Sequence, residues 1–173
     1  LLKLLSVLVL GYSLYNVLEY FFWFKSVLPY FAARGAVPLG GNSVFFKRKW
    51  LERVGGWDEN CLTEDAEVGM KLSQAGAKIR VIYEERHATQ EETPHTLGAF
   101  LKQRTRWHQG FMQIIGKRQW RKFLTLKQQL LSLYVLVWPE IQAILFLYAI
   151  VSVVGLTFVK LPVWVTLIAL LPL

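Results

Sequence analysis

Residues 130–158 form an apolar run broken only by Pro139, Glu140 and Gln142. A helix needs roughly 20 apolar residues to cross a bilayer core, so this run is long enough to span, with Pro139 as a place for a kink. A basic stretch with interleaved aromatics comes just before it: Lys117, Arg118, Trp120, Arg121, Lys122 and Phe123. Basic residues flanking a span stay on the cytosolic side. Residues 117–129 are therefore expected to lie as a basic amphipathic segment at the inner leaflet, with the chain before them in the cytosol. A second apolar segment, 161–173, reads as part of another transmembrane helix.

The charges are sorted along the chain. Twenty Lys and Arg accompany a 54% hydrophobic composition, and of the 12 acids all but Glu19 and Glu140 fall within residues 52–92. Greasy and basic together suggest a membrane protein with a cytosolic face. The single Cys61 excludes an internal disulfide and fits a reducing compartment. The first ten residues are apolar without a following small-residue cleavage site, so no secretory signal is expected. The chain starts without Met and stops at Leu173 inside an apolar run, and it is read as a portion of a longer protein.

Residues 1–34 form an apolar helical segment. Its first 24 residues, interrupted by Lys3, Asn16 and Glu19, allow two readings: a span, or a helix packed on the domain or at the membrane interface. Residues 35–92 differ in kind and predict an α/β unit. Asn42 opens a short strand to Phe46, residues 49–54 a short helix, and Gly55-Gly56-Trp57-Asp58 a turn that uses the positive φ open to glycine. Thr63 is positioned to cap a helix whose first turn holds Glu64, Asp65 and Glu67, with Gly76 closing it. The alternation in residues 78–83 predicts a strand. Residues 95–116 predict a helix after Pro94.

Three motifs offer chemistry. Thr63-Glu64-Asp65 is either a plain helix start, where acids favour the dipole, or a general base at a helix N-terminus. Glu91-Glu92-Thr93-Pro94 precedes the second helix. Gln103-Arg104-Thr105-Arg106-Trp107 is either a basic amphipathic helix with Trp at the lipid interface or a binding face. On a helix Gln103, Arg106 and Trp107 share one side. Arg matches a diphosphate with two parallel hydrogen bonds, and Trp can stack on a sugar ring. His87, His95 and His108 have no metal-ligand spacing.

The combination of motifs resembles the processive, membrane-bound family-2 glycosyltransferases, such as cellulose, hyaluronan and chitin synthases. The resemblance rests on Thr63-Glu64-Asp65 followed by Gln103-Arg104-Thr105-Arg106-Trp107. Pro38-Leu39-Gly40-Gly41-Asn42, Gly55-Gly56-Trp57-Asp58 and Glu92-Thr93-Pro94 stand in the usual places. It implies a partial GT-A-type catalytic domain over residues 35–116, followed by transmembrane helices. It also implies inverting transfer from a UDP-sugar to the hydroxyl of a saccharide or lipid-linked acceptor, at a multi-pass protein of the plasma membrane with its catalytic part cytosolic. By the same resemblance Asp65 is the base, and Thr63, Glu64, Gly40, Gly41 and Asn42 shape the acceptor end. Gln103 and Arg106 meet the diphosphate, Trp107 meets the acceptor sugar, and Arg104 of the same motif counts among the substrate-binding residues. Mg²⁺ or Mn²⁺ is the implied cofactor of the full-length protein. The family's metal-binding Asp-x-Asp lies upstream of what Gly40 matches, where this chain offers only Glu19. No metal ligand is expected among these residues, and the chain alone is expected to be inactive. The competing class is a transport or structural segment with a basic surface for lipid or nucleic acid. The basic patch abuts a membrane-length run, which favours lipid headgroups, and no nucleic-acid partner is expected.

Overall fold

The computed structural model describes residues 2–87, 89, 91–158 and 162–170. Contacts divide the chain into two compact units, Leu1–Leu133 and Tyr134–Leu173.

The first unit is built around α4, Glu64–Gln74. Its sequence puts Val68 and Leu72 one turn apart, and both join Leu28, Val37 and Leu39 in the buried core. The helix ends as the glycine signal predicts. Gly76 takes φ +80, its N–H meets the Ser73 carbonyl, and the Ala77 N–H meets that of Leu72, the paired closure of a Schellman motif. The start differs from expectation. Thr63 makes no capping hydrogen bond with its side chain; it is buried and turned toward Gly110.

Around α4 lie α1 (Leu2–Phe22), a π-helical stretch Trp23–Val27, α2 (Leu28–Ala32), α3 (Arg48–Val54) and α5 (Leu97–Gly116). The α3 helix ends at Gly55 with φ +80, and Gly56 follows at +74, the turn expected of this pair. The α5 helix starts two residues later than the sequence suggested, because Thr96 is its cap: the Thr96 hydroxyl accepts from the Ala99 N–H at 3.1 Å. Short 3₁₀ turns occur at Glu85–His87 and Gln119–Lys122.

The α/β expectation needs correction at this level, because the described residues contain helices and no strand. Residues 78–83 keep the side-chain alternation of a strand: Ile79 and Val81 pack on the core, while Lys78, Arg80 and Ile82 are exposed. A strand also requires a neighbouring backbone to pair its N–H and C=O groups, and no described segment supplies that ladder. The stretch from Asn42 to Phe46 is likewise unpaired. Phe46 leans edge-on against Trp57, their ring centroids 5.6 Å apart, while Phe45 is 95% exposed, which a buried strand would not allow.

The helix α6, Leu126–Phe158, runs through the boundary between the units and contains Pro139. Its residues Leu126–Gly155 are long and apolar enough to cross a membrane. The expected second apolar segment falls on 161–173, of which 161 and 171–173 lie outside the described residues. Its described part is α7, Val163–Leu170.

Candidate active site

One face of α4 is a track for the chain between Val37 and Gly41. Ser73 Oγ accepts from the Val37 N–H at 3.1 Å. One turn earlier, a Cβ on Gly69 would stand 2.5 Å from the Val37 carbonyl oxygen and 2.6 Å from the Leu39 nitrogen. One turn earlier again, a Cβ on Gly41 would stand 3.2 Å from Asp65 Oδ2. Residues 73, 69 and 65 are spaced by four, so they stack along one side of the helix. The glycine in the middle lets the backbones touch. This contact carries the Gly40-Gly41-Asn42 loop to the Asp65 carboxylate.

The α5 helix grips the other side of the same helix start. Gly110 presents no side chain, so the helix closes directly on Thr63. Gln113 then bridges the approach to α4: its Oε1 accepts from the Leu62 N–H at 2.8 Å, and its Nε2 donates to the Asn60 carbonyl at 3.3 Å. Lys117 pairs with Asp58 at 2.5 Å, and this hydrogen bond holds the Asp58 carboxyl below the usual range. After α5, Gln119 is buried and donates to Glu67 Oε1 at 2.9 Å, while Gln74 donates to the Gln119 carbonyl at 2.8 Å. Glu67 is 0% exposed and pairs with Lys71 at 2.8 Å. A buried carboxylate persists only when it is paired and hydrogen-bonded, and here it ties the basic 117–123 segment to the helix that bears Asp65.

Asp65 sits in this clamp. Its Oδ1 accepts from the Ala66 N–H at 2.8 Å and its Oδ2 faces Gly41. Burial pushes its carboxyl above the ordinary range. The hydrogen bond from Ala66 opposes that push, the Glu64 charge adds to it, and the Arg106 charge lowers it. Desolvation therefore outweighs the helix N-terminus, the arrangement that makes a carboxylate a better proton acceptor. Glu64 and Asn42 are exposed, and Gly40 lies beside Phe24, a Cβ there standing 3.5 Å from the ring.

The second motif splits. Gln103 and Arg106 line a groove of about 710 Å³ with Leu62, Lys102, Thr105 and Gln109. Trp107 turns instead toward α1, its ring 6.0 Å from that of Tyr20, and Tyr20 lies 6.0 Å from Phe24. An aromatic row thus connects Trp107 to the Gly40 loop. Arg104 belongs to this side as well. It pairs with Glu19 at 2.6 Å and donates to Asn16 Oδ1 at 2.6 Å.

Sequence reasoning missed α1 as a wall of the site. The α1 and α5 helices run side by side in register. Tyr12 stacks near Phe100 at 5.4 Å, Asn16 meets Arg104, and Tyr20 meets Trp107. Tyr12 Oη donates to the Pro94 carbonyl at 3.1 Å, and Asn16 Nδ2 to Thr93 Oγ1 at 3.2 Å, so the Thr93-Pro94 motif is held here too. The signal was present: Tyr12, Asn16, Glu19 and Tyr20 recur at helical spacing inside an otherwise apolar run. The face of α1 with Leu10, Leu14, Val17, Leu18, Phe21 and Phe22 is exposed. His87 and His95 stand 3.7 and 3.6 Å from Glu84 and Glu92. No group of three or more His, Cys, Asp or Glu side chains assembles among the described residues.

Comparison with known proteins shows the family. The family model for glycosyl transferase family group 2 matches residues 5–173. The poly-beta-1,6-N-acetyl-D-glucosamine synthase of Staphylococcus epidermidis is 34% identical over 113 residues, 65% of this chain and 26% of that protein. The enzyme of the same name from Staphylococcus aureus (strain COL) is 35% identical over 122 residues, 70% of this chain and 28% of the relative. The chain therefore spans about a quarter of the length of these relatives. No solved structure matches it. The chain belongs to glycosyl transferase family group 2.

Proposed function

We propose that this chain is the acceptor side and membrane lead-in of a GT-A-type enzyme that transfers a sugar, with inversion, from a UDP-sugar to an acceptor hydroxyl at the cytosolic face of the plasma membrane. The observation that carries the reading is Asp65: a desolvated carboxylate fixed against the Gly41 loop, with Arg106 close enough for its charge to act on it. Asp65 Oδ2 takes the proton of the acceptor hydroxyl. The acceptor oxygen attacks the anomeric carbon, and the bond to the UDP oxygen breaks on the opposite face. Gln103 and Arg106 hold the diphosphate from the groove on α5, since Arg pairs with phosphate oxygens through charge-assisted bonds. Trp107 stacks on the acceptor sugar, and Gly40, Gly41, Asn42, Thr63 and Glu64 shape its end of the cleft.

A divalent ion, Mg²⁺ or Mn²⁺, supplies charge neutralisation at the leaving diphosphate when bound. The described residues do not fit it as ligands: Glu67 is committed to Lys71 and Gln119, and Asp65 has only the exposed Glu64 beside it. The partners are a UDP-sugar, a saccharide or lipid-linked acceptor, and lipids along residues 117–129 and α6. The staphylococcal relatives are named for a β-1,6-linked N-acetylglucosamine polymer, so we take polysaccharide synthesis as the role and UDP-N-acetylglucosamine as the first donor to test. A transport or structural role accounts for α6 but leaves the contact between Asp65 and the Gly41 loop without a purpose.

The test is Asp65→Asn in the full-length protein. Transfer is expected to fall roughly 10²–10⁴-fold, the contribution of a general base, with UDP-sugar binding retained. Turnover near that of the wild type removes Asp65 from the chemistry.

A further inference from the structure

The two arginines of Gln103-Arg104-Thr105-Arg106-Trp107 live in different surroundings. Arg106 is exposed and lines the groove. The Arg104 side chain is only 13% exposed. Its Nη2 is shared between Glu19 Oε2 and Asn16 Oδ1, both at 2.6 Å. Its guanidinium carbon lies 4.3 Å from the centre of the Trp107 ring and 4.8 Å from that of Phe100. These rings stand three residues after and four before it on α5, the spacing that brings side chains together on a helix.

We propose that Arg104 is a positioning residue: clamped to α1 by Glu19 and Asn16, it holds the Trp107 indole in the orientation that receives the acceptor sugar. This rests on the reading of Trp107 given above. Arg suits the task because its guanidinium is flat, always charged and weakly hydrated, so one edge can bind a carboxylate while the face stacks on a ring. Glu19 keeps the charge neutral in a largely buried place. Binding a diphosphate through the same edge would strip Glu19 and Asn16 of their partner, which is costly for a half-buried carboxylate. The nucleotide therefore falls to Arg106 and the acceptor platform to Arg104. Glu19 is then accounted for as the anchor of that platform. A lysine at 104 keeps the ion pair but has no plane to lay against the indole.

The experiment uses the full-length protein in detergent, labelled with fluorotryptophan, with the Trp107 resonance assigned from a Trp107→Phe variant. Arg104→Lys and Glu19→Gln are compared with Arg106→Ala. The proposal expects Arg104→Lys to shift or broaden the Trp107 resonance. It also expects the KM for an added oligosaccharide acceptor to rise roughly two- to thirtyfold, the range of one cation–π contact, while inhibition by UDP stays as in the wild type. Glu19→Gln should move the same two readouts in the same direction. A loss of UDP inhibition in Arg104→Lys equal to that in Arg106→Ala overturns the proposal and makes Arg104 a nucleotide ligand. An unmoved resonance with an unchanged acceptor KM overturns it in favour of plain packing. The resonance is read without substrates, so it still decides the positioning claim should Asp65→Asn prove active and the catalytic reading fail.

Discussion

Gly69→Ala puts the packing of the site under direct load. Alanine favours a helix over glycine by about 0.8–1 kcal/mol, so on propensity alone the change should stabilise α4. The structure opposes it. The new Cβ would stand 2.5 Å from the Val37 oxygen, 2.6 Å from the Leu39 nitrogen and 2.8 Å from Leu39 Cγ. Ordinary carbon contacts lie near 3.5–4.0 Å, so the overlap is about 1 Å, and two of the three atoms are backbone that no rotamer can move. Overpacking of this kind costs about 1–3 kcal/mol, which leaves a net loss of up to about 2 kcal/mol after the propensity gain. The relief available is to push the 37–41 chain off α4, and that chain carries Gly41 to Asp65. A displacement near 1 Å at a reacting group costs up to about 10²-fold in rate. The assay pairs the apparent melting temperature of the full-length protein with sugar transfer. Gly98→Ala serves as the control, because a Cβ at Gly98 meets nothing within 4 Å. If Gly69→Ala melts as high as Gly98→Ala and transfers sugar at the normal rate, the direct backbone contact at Gly69 is refuted.

Four further outcomes follow from the same geometry. Burial raises the Asp65 pKa, and a base works deprotonated, so kcat/KM should fall as pH drops through that raised value, with an acid limb above the value of about 3.9 for a free Asp. By linkage, a raised carboxyl pKa favours the folded state at low pH and costs stability once pH passes the unfolded value; Asp65→Asn should therefore melt no lower than the wild type at neutral pH. Arg106→Ala should raise the inhibition constant of UDP roughly tenfold, as expected for loss of a charge-assisted pair, and calorimetric titration of UDP checks it. Cys61 is buried, so topology is better read at the exposed Glu59: Glu59→Cys in a Cys61→Ser background should resist an impermeant thiol reagent applied to intact cells, and labelling from outside would invert the orientation.

Much of the helical order was legible because it rests on local signals. The glycines at 55, 56 and 76 take the positive φ their turns require, and the apolar spacing at Val68 and Leu72 faces the core. The expected sheet survives among the described residues only as a side-chain pattern. Alternation in 78–83 reports which side chains face the core, whereas a strand is a relation to a second backbone, and no residue pattern within the segment specifies where that backbone is. The Thr63 cap failed for a related reason. Cap residues are favoured by a local hydrogen bond, but here the side chain is claimed by a helix almost fifty residues away, which closes on it at Gly110.

The expected binding face on α5 shows the same limit in sharper form. Spacing places Gln103, Arg106 and Trp107 on one side of a helix, and that is correct to within the roughly 100° between neighbouring residues. A helix side is broad enough to touch two neighbours at once, however. Here one edge of that side, Gln103 and Arg106, opens on the groove beside Leu62, and the other, Trp107 with Arg104, turns to Tyr20, Glu19 and Asn16 of α1. Periodicity cannot divide the two edges, because the division is made by what packs against them. The polar residues of α1 could have done so. An apolar helix that carries Asn16 and Glu19 one turn apart must satisfy them somewhere, and in the structure Arg104 does so. One arginine of the motif, Arg104, is thereby committed to the protein, while the other, Arg106, opens on the groove.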